Sequence, residues 1–542
     1  MSDEAMGAAP TKRQWVGLAV LSLGLGVIVL DGTIVGVALP TIIADLSLDL
    51  TDAQWVSSLY AVLLAALLLS TGNLADRWGR RRLFIAGLIV FGVGSVLAAQ
   101  AGSAGALIGS RAVQAVGAAL IMPSTLSTVN AVFRGKYRAM AFGVWGAVIS
   151  GAAAIGPLLG GALTQWASWH WIFLVNVPAV IVIAAAAAVT VPETRGRKPK
   201  KGIDVDGAQL SAIGFGALVF AIVEGPDLGW WRPTGTFQVF GHAWPADAPL
   251  SVVPLAMTVA IVAIALFVRW ERHRERVGRD ALLDLDLFRF RTFTWGNLTA
   301  AMVAIGEFAI IFILPLYLTS ALAMSVMGAG LVLAAMAMGA FGSGAAARHV
   351  AGRFGAPTTV LIGLGLEVAG VVALAAVLGP ATSGFVVALP LVVYGLGLGL
   401  ASAQLTGTVL RDIPVDVSGQ ASATQSTVRQ IGTALGTAVA GAALSTALRL
   451  TLPDSLAPLN LSDEASASLA QHTRESAGTL ITALREQGPG AAALGASPSA
   501  TVDALAAGFA TATRWSLLVA GVFLLAGFAG ALKVRAASNR PR

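Results

Sequence analysis

Gly72-Asn73-Leu74-Ala75-Asp76-Arg77-Trp78-Gly79-Arg80-Arg81 is a short polar and basic segment set between two apolar runs, 53–72 and 83–101. Each run is close to the ~20 mostly apolar residues that carry a helix across a bilayer. The segment therefore reads as a tight connection on one membrane face, holding Arg77, Arg80, Arg81 and Arg82 together there. Arginines so placed set topology, which is the plainer use of the segment. The spacing of its glycines and aspartate suggests a second use. Cations beside the end of the preceding helix suit the negative pole of its dipole, and Asp76 can pair with an arginine or with a helix amino terminus.

Carried outward from this connection, the same length criterion predicts fourteen spans: 14–38, 53–72, 83–101, 105–128, 139–164, 171–191, 207–224, 251–270, 293–318, 326–347, 358–378, 384–410, 419–446 and 510–532. The seventh is short and runs into Glu224-Gly225-Pro226. Composition points the same way. The 542 residues are 56% hydrophobic and 12% charged, with mean hydropathy +0.78, whereas a soluble domain carries about 25% charged residues. Sixty-two glycines suit membrane helices, which pack through small residues because lipid supplies no hydrophobic drive between them. Cysteine is absent, which excludes disulfides, thiolate metal sites and cysteine nucleophiles.

Alternation of the spans puts all 35 lysines and arginines on one face except Arg111, Arg232, Arg429, Arg449, Arg474, Arg485 and Arg514. The positive-inside bias makes that face cytoplasmic, so a multi-pass protein of the cell (inner) membrane with both termini inside is expected. The organisation that follows is a cytoplasmic segment 1–13, a six-helix bundle 14–191, and a linker region 192–292 holding two additional helices. A second six-helix bundle 293–532 and a cytoplasmic segment 533–542 complete it. The stretch 447–509 is an external loop, either solvated or carrying a helical piece within 466–484. The net charge of +7 is spread over separate loops, so it does not indicate nucleic acid. Lys12 and Arg13 precede an apolar run without a small-residue cleavage site, which reads as the first span rather than a signal peptide.

A weak repeat supports two homologous halves. Ala75-Asp76-Arg77-Trp78-Gly79, then Gly87, is echoed by Ala351-Gly352-Arg353-Phe354-Gly355, then Gly363, 276 positions later. Gly156 and Gly161 are echoed by Gly436 and Gly441, 280 positions later. Parallel repeats of this kind build a central cavity at the bilayer midplane.

Taken together, these stretches resemble the fourteen-helix branch of drug:proton antiporters within the major facilitator superfamily, over essentially the whole chain. The segment from Gly72 to Arg81 is similar to the superfamily's loop signature between helices 2 and 3. Gly151, Gly156-Pro157-Leu158-Leu159-Gly160-Gly161 resembles the antiporter signature of helix 5. Leu30-Asp31-Gly32-Thr33-Ile34-Val35-Gly36-Val37-Ala38-Leu39-Pro40 resembles the branch's helix-1 signature, with Gly36 where asparagine is usual, and Ser168-Trp169-His170-Trp171-Ile172-Phe173-Leu174-Val175-Asn176-Val177-Pro178 resembles its helix-6 signature, with His170 where arginine is usual. Arg111, Gln114 and Gly117-Ala118-Ala119 resemble a helix-4 motif whose buried arginine takes part in proton coupling. The resemblance implies an all-α integral membrane protein of the major facilitator fold, two six-helix bundles plus two inserted helices. It implies conformational gating by Gly72, Asp76, Arg77, Gly79, Arg80, Gly156, Pro157, Gly160, Gly161 and Arg429.

The intramembrane acids are few: Asp31, Glu307, Glu367 and Glu224. Burial favours a neutral carboxyl and a neighbouring arginine favours the ion, so such a group can take up and release a proton as its surroundings change. Asp31, with Arg111 as its partner, and Glu307 are the expected proton-coupling residues. The plainer reading of Arg111 and Asp31 is a permanent pair joining two helices. Glu367, on an outer helix, reads as a local polar contact or a snorkelling side chain, and Glu224 as interfacial. Glu307 with Tyr60, Trp55, Tyr317 and Trp145 would bind a flat lipophilic cation through charge and cation–π contact, although membrane aromatics also serve as interface anchors. No phosphate loop, HExxH or nucleophile elbow is present in the sequence. The expectation is therefore a transporter, not an enzyme, with no cofactor and no metal, driven by an ion gradient. Its partners are small amphipathic molecules, protons and membrane lipid, not nucleic acid, and it acts as a monomer. A proton-coupled exporter of lipophilic cations, a dedicated exporter of one lipid or antibiotic, and a non-transporting membrane receptor remain the alternatives.

Overall fold

The computed structural model describes residues 10–133, 135–195, 204–235, 237–239, 242–245, 247–279, 281–414, 417–487 and 498–538. Fourteen helices among them are long and apolar enough to cross a membrane. In chain order helices 1 to 5 are Lys12–Leu46, Leu50–Trp78, Arg80–Ala99, Ala104–Val132 and Gly135–Trp166. Helix 6 is broken at Val175 into Trp171–Leu174 and Asn176–Thr190. Helices 7 to 9 are Val205–Leu228, Val252–Arg276 and Arg291–Leu316, the last continuing as the π turn Tyr317–Ala321. Helices 10 to 14 are Val326–Phe354, Ala356–Val377, Gly384–Val409, Ser418–Leu456 and Pro498–Ser538. A two-residue hairpin, Gln238–Val239 with His242–Ala243, lies between helices 7 and 8.

Local chemistry explains the ends. Thr11, Ser103, Ser251, Ser325 and Ser383 each accept a backbone N–H of the helix they precede, which satisfies donors that have no partner within the helix. Gly79 and Gly355 have φ of 112° and 82°. Only glycine takes such a φ without strain, and each lets one spanning helix follow another with a single residue between them.

Several helices exceed the expected spans, since a hydropathy window registers only the lipid-buried part. Helix 7 runs through Pro226 to Leu228. Helix 13 reaches Leu456 and helix 14 starts at Pro498, so much of 447–509 is helix rather than loop. The same stretch holds two short helices, Asp463–Glu475 and Thr479–Gln487. They are tied down by Arg474, which donates to Asp227 Oδ1 at 2.7 Å and Ser445 Oγ at 3.3 Å, and by Arg485, which donates to the Ser320 carbonyl at 3.3 Å. Thr51 donates to the other oxygen of Asp227 at 2.6 Å, so this strap reaches both halves. Asp49 beside it has its carboxyl raised above the usual range, chiefly by burial, with Asp52 and Asp227 adding.

In the first half, helix 1 packs on helices 5 and 6, and helix 4 on helices 2 and 3. In the second, helix 9 packs on 13 and 14, and helix 12 on 10 and 11. Helices 5 and 10, 2 and 13, and 1 and 9 meet across the halves. Helix 7 lies on the 2–13 seam with helix 8 behind it.

The cores show which face is closed. One apolar cluster joins both halves through Ile34, Leu39, Ile310, Leu314, Met336 and Leu444, toward the face opposite the basic loops. Nearer the basic face the clusters separate. One contains Leu21, Phe84 and Phe91 with no second-half residue, another Phe293, Leu364 and Val409 with no first-half residue. The halves are sealed on the far side and open toward the basic side.

Close crossings within each half depend on missing side chains. A Cβ on Gly370 would stand 2.7 Å from the Tyr394 backbone nitrogen, while one on Gly32 would meet nothing within 4 Å. Gly370→Ala should cost about 1–3 kcal/mol through overpacking. Gly32→Ala should stay within about 0.5 kcal/mol. Thermal melting of the two purified variants checks the contrast, and equal midpoints would refute it.

Candidate functional site

Each half holds one ionic constellation on its spanning helices. In the first half Asp31 of helix 1 is fully buried, and its carboxylate takes three donors. Arg111 of helix 4 pairs with Oδ2. Gln114 Nε2 donates to Oδ1 at 3.1 Å and Asn176 Nδ2 to the same oxygen at 2.8 Å. Arg111 and Gln114, three residues apart, share a helix face, and Arg111 also donates to Gln114 Oε1 at 2.8 Å. Gln114 Nε2 reaches Ser95 Oγ of helix 3 at 2.9 Å. The Arg111 guanidinium lies 4.3 Å from the centroid of the Tyr60 ring, and its Nε donates to the Val56 carbonyl of helix 2 at 3.4 Å. One ion pair thus ties helices 1, 2, 3, 4 and 6 together.

In the second half Arg429 Nη2 of helix 13 stands 3.4 Å from Glu307 Oε2 of helix 9. This pair is looser and wetter. The Glu307 side chain is 11% exposed and that of Arg429 51%. Its place follows from one contact between the halves. A Cβ on Gly36 of helix 1 would stand 3.4 Å from Ile311 Cγ2 of helix 9. Gly32 and Glu307 each lie one helical turn from that contact toward the basic face, and the open space begins there, since nothing approaches Gly32. Glu307 and Arg429 border the gap between the halves, whereas Asp31 faces away from it into its own bundle.

The four aromatics separate. Tyr60 lies under Arg111, and Trp145, half-buried on helix 5, packs with the first-half core. Trp55 points to helix 7 instead, donating from Nε1 to Glu224 Oε1 at 2.8 Å and packing 6.2 Å from the Phe220 ring. Tyr317 is fully buried and its hydroxyl donates to the Gly379 carbonyl at 2.7 Å near the closed face. These two do not line the gap, because each ring's polar atom found a nearer acceptor. Glu367 also departs from expectation. It is fully buried between helices 11 and 12, with neither carboxylate oxygen hydrogen-bonded among the described residues. Snorkelling needs an open path, and a Cβ on Gly397 of helix 12 would stand 3.0 Å from Glu367 Cγ, so the path is closed.

On helix 5 the glycines face two ways. Cβ atoms on Gly156 and Gly160 would stand 2.9 Å from Thr33 Cβ and from the Ile34 carbonyl oxygen of helix 1. One on Gly161 would stand 3.1 Å from Met327 Cα of helix 10, where Gly330 in turn approaches the Pro157 carbonyl. The turn between helices 2 and 3 is held within its own half. Arg80 Nη1 donates to the Ser127 carbonyl at 2.9 Å, and the Arg81 N–H donates to Glu193 Oε1 at 3.1 Å. A Cβ on Gly72 would lie 3.6 Å from Pro123, while Arg77 borders a cavity of about 400 Å³ with Trp78, Arg82 and Arg195. The side chain of Asp76 lies outside the described residues, as do residues 134, 197, 198, 200, 201, 540 and 542 among the basic positions.

Sequence reasoning quoted Asn176 within the helix-6 resemblance without giving it a role, and missed Ser95 and Glu193. An asparagine in the apolar run Leu174-Val175-Asn176-Val177 was the available signal for the first. Ser95 and Glu193 carried none, being ordinary residues for a small-residue helix and for a polar helix end.

Residues 21–437 match the family profile described as Major Facilitator Superfamily. Over 470 residues the chain is 30% identical to the tetracenomycin C resistance and export protein of Streptomyces glaucescens, covering 85% of this chain and 82% of that one. Over 430 residues it is 33% identical to the multidrug efflux pump LfrA of Mycolicibacterium smegmatis, covering 79% and 80%. The fold matches that of a bacterial homolog of the human lysosomal transporter Spinster in an inward-facing and occupied conformation, with TM-score 0.62, 18% identity and 98% of both chains covered.

Proposed function

This chain belongs to the Major Facilitator Superfamily and is a multi-pass membrane transporter of small molecules, not an enzyme, and on that premise we propose that it is a proton-coupled antiporter exporting lipophilic cations. The observation that carries the reading is the Glu307–Arg429 pair at the edge of the open gap. A carboxylate held by one half-exposed arginine can exchange that partner for a proton or for a cationic cargo. Asp31, with three donors, has no such freedom, and its pair with Arg111 anchors the first bundle. The basic face is the cytoplasmic one, so the gap admits cargo from inside. Bundles 14–191 and 293–532 rock about their contacts to reopen the site outside, as a monomer, since one chain supplies both halves. Protonation of Glu307 from outside releases the cargo, and deprotonation inside resets it.

Efflux of a fluorescent lipophilic cation from proteoliposomes under an imposed pH gradient tests this. Flux that follows the gradient supports it, and no flux from folded protein would sink the multidrug reading. In that event a dedicated exporter is favoured, a reading supported by the relative that is a tetracenomycin C export protein.

Alternating access has a separate check, because the chain has no cysteine. Cysteines replacing Gly36 and Ile311 would bridge helices 1 and 9 at the sealed side. Oxidation should stop flux and a reductant restore it. Unchanged flux with the bridge formed would show that this contact need not open.

A further inference from the structure

The two halves treat one repeated turn differently. Gly79 and Gly355 hold equivalent places, each with positive φ, each ahead of a helix that its own turn leaves without a side-chain cap. In the first half a carboxylate from after helix 6 caps the turn itself, beside the cavity bordered by Arg77, Arg82 and Arg195. Glu193 Oε1 accepts the Arg81 N–H at 3.1 Å, and Oε2 stands 3.8 and 3.7 Å from Nε of Arg81 and Arg82. In the second half the same place is a cavity of about 510 Å³, lined by Gly355, Thr358, Gln404, Thr408, Arg411 and Arg535 among others. Among the described residues no acid lines it, and 533–542, the segment that would supply one, contains none. Arg411 and Arg535 are exposed and form no ion pair among the described residues. The first amide of helix 11 bonded to a carbonyl is that of Thr359, to Gly355 at 3.0 Å, which leaves the amides of Ala356 and Thr358 facing outward from the helix start.

We propose that this cavity binds the phosphodiester of an anionic glycerophospholipid from the cytoplasmic leaflet. Arg411 and Arg535 take the phosphate oxygens, and the amino terminus of helix 11 adds its dipole. The group replaces, from outside, the carboxylate that Glu193 supplies in the other half. A lipid fits better than a free anion because Phe354, which lines the cavity and is 51% exposed, offers apolar surface beside the cations. Basic pockets between helices on the cytoplasmic side hold anionic headgroups in this way. The assignment rests on the orientation proposed above but not on the transport reading.

The test uses the full chain, equilibrated with vesicles of equal phosphatidylglycerol and phosphatidylcholine, with retained lipid counted by native mass spectrometry. The unmodified protein should prefer phosphatidylglycerol, and the double variant Arg411→Gln, Arg535→Gln should lose about tenfold of that preference. Thr358→Glu places a carboxylate where the first half has one, keeps both arginines, and should lose the preference equally at an unchanged melting temperature. An unchanged preference in both variants would overturn the proposal. So would binding of inorganic phosphate by the lipid-free protein together with no preference for phosphatidylglycerol, since the site would then serve a soluble anion.

Discussion

Glu307→Gln is expected to abolish gradient-driven efflux while leaving the protein folded. Glutamine keeps the volume of the side chain and can accept from Arg429, which stands 3.4 Å away, but it cannot bind and release a proton. The variant therefore fixes the site in its protonated, cargo-releasing form. In proteoliposomes, flux under a pH gradient should fall to that of empty vesicles, and counterflow of labelled cargo without a gradient should weaken with it. Loss of gradient-driven flux with full counterflow would place the cargo elsewhere and leave Glu307 on the proton path alone. Retention of gradient-driven flux would move the proton to another carboxyl.

The second large effect belongs to Asp31. Asp31→Ala leaves the Arg111 charge unpaired and strips an acceptor from Gln114 and Asn176, all where water does not reach. Removing one partner of a buried pair costs about 3–5 kcal/mol, which should appear as a much lowered melting temperature or as failure to purify. Replacing both partners by apolar groups is often near neutral. Asp31→Ala with Arg111→Leu should therefore recover most of the stability and retain gradient-driven flux, as an anchor predicts. A stable double variant without flux would return Asp31 to the proton path, since only a functional role would survive the repair of the packing.

Much of this was legible before any coordinates. The apolar run length marked the helices, and the arginine-bearing loops marked one face. The Asp31–Arg111 partnership was readable as well, because a charge at membrane depth needs a partner and the candidates were few. Glu307 was singled out for the same reason, though its arginine was not assigned. Tyr317 and Trp55 misled because an aromatic in a membrane helix gives no sign of which way it points. Their directions were set by acceptors elsewhere in the fold, the Gly379 carbonyl between helices 11 and 12 in one case and Glu224 of helix 7 in the other. Glu367 misled for a related reason, its outward path being closed by a helix that sequence spacing does not place.

The sequence by itself determined that the chain folds into fourteen spanning helices with its basic loops on one face, and that Arg111 pairs with Asp31 within the membrane, because hydrophobic length and desolvation act on each segment locally. Only the tertiary structure decided which pair meets open space, which face is sealed, and that the first half carries its own anion at a turn where the second half leaves a cavity between two arginines. Those outcomes depend on contacts between residues hundreds of positions apart, such as Gly36 with Ile311, and no local propensity encodes them.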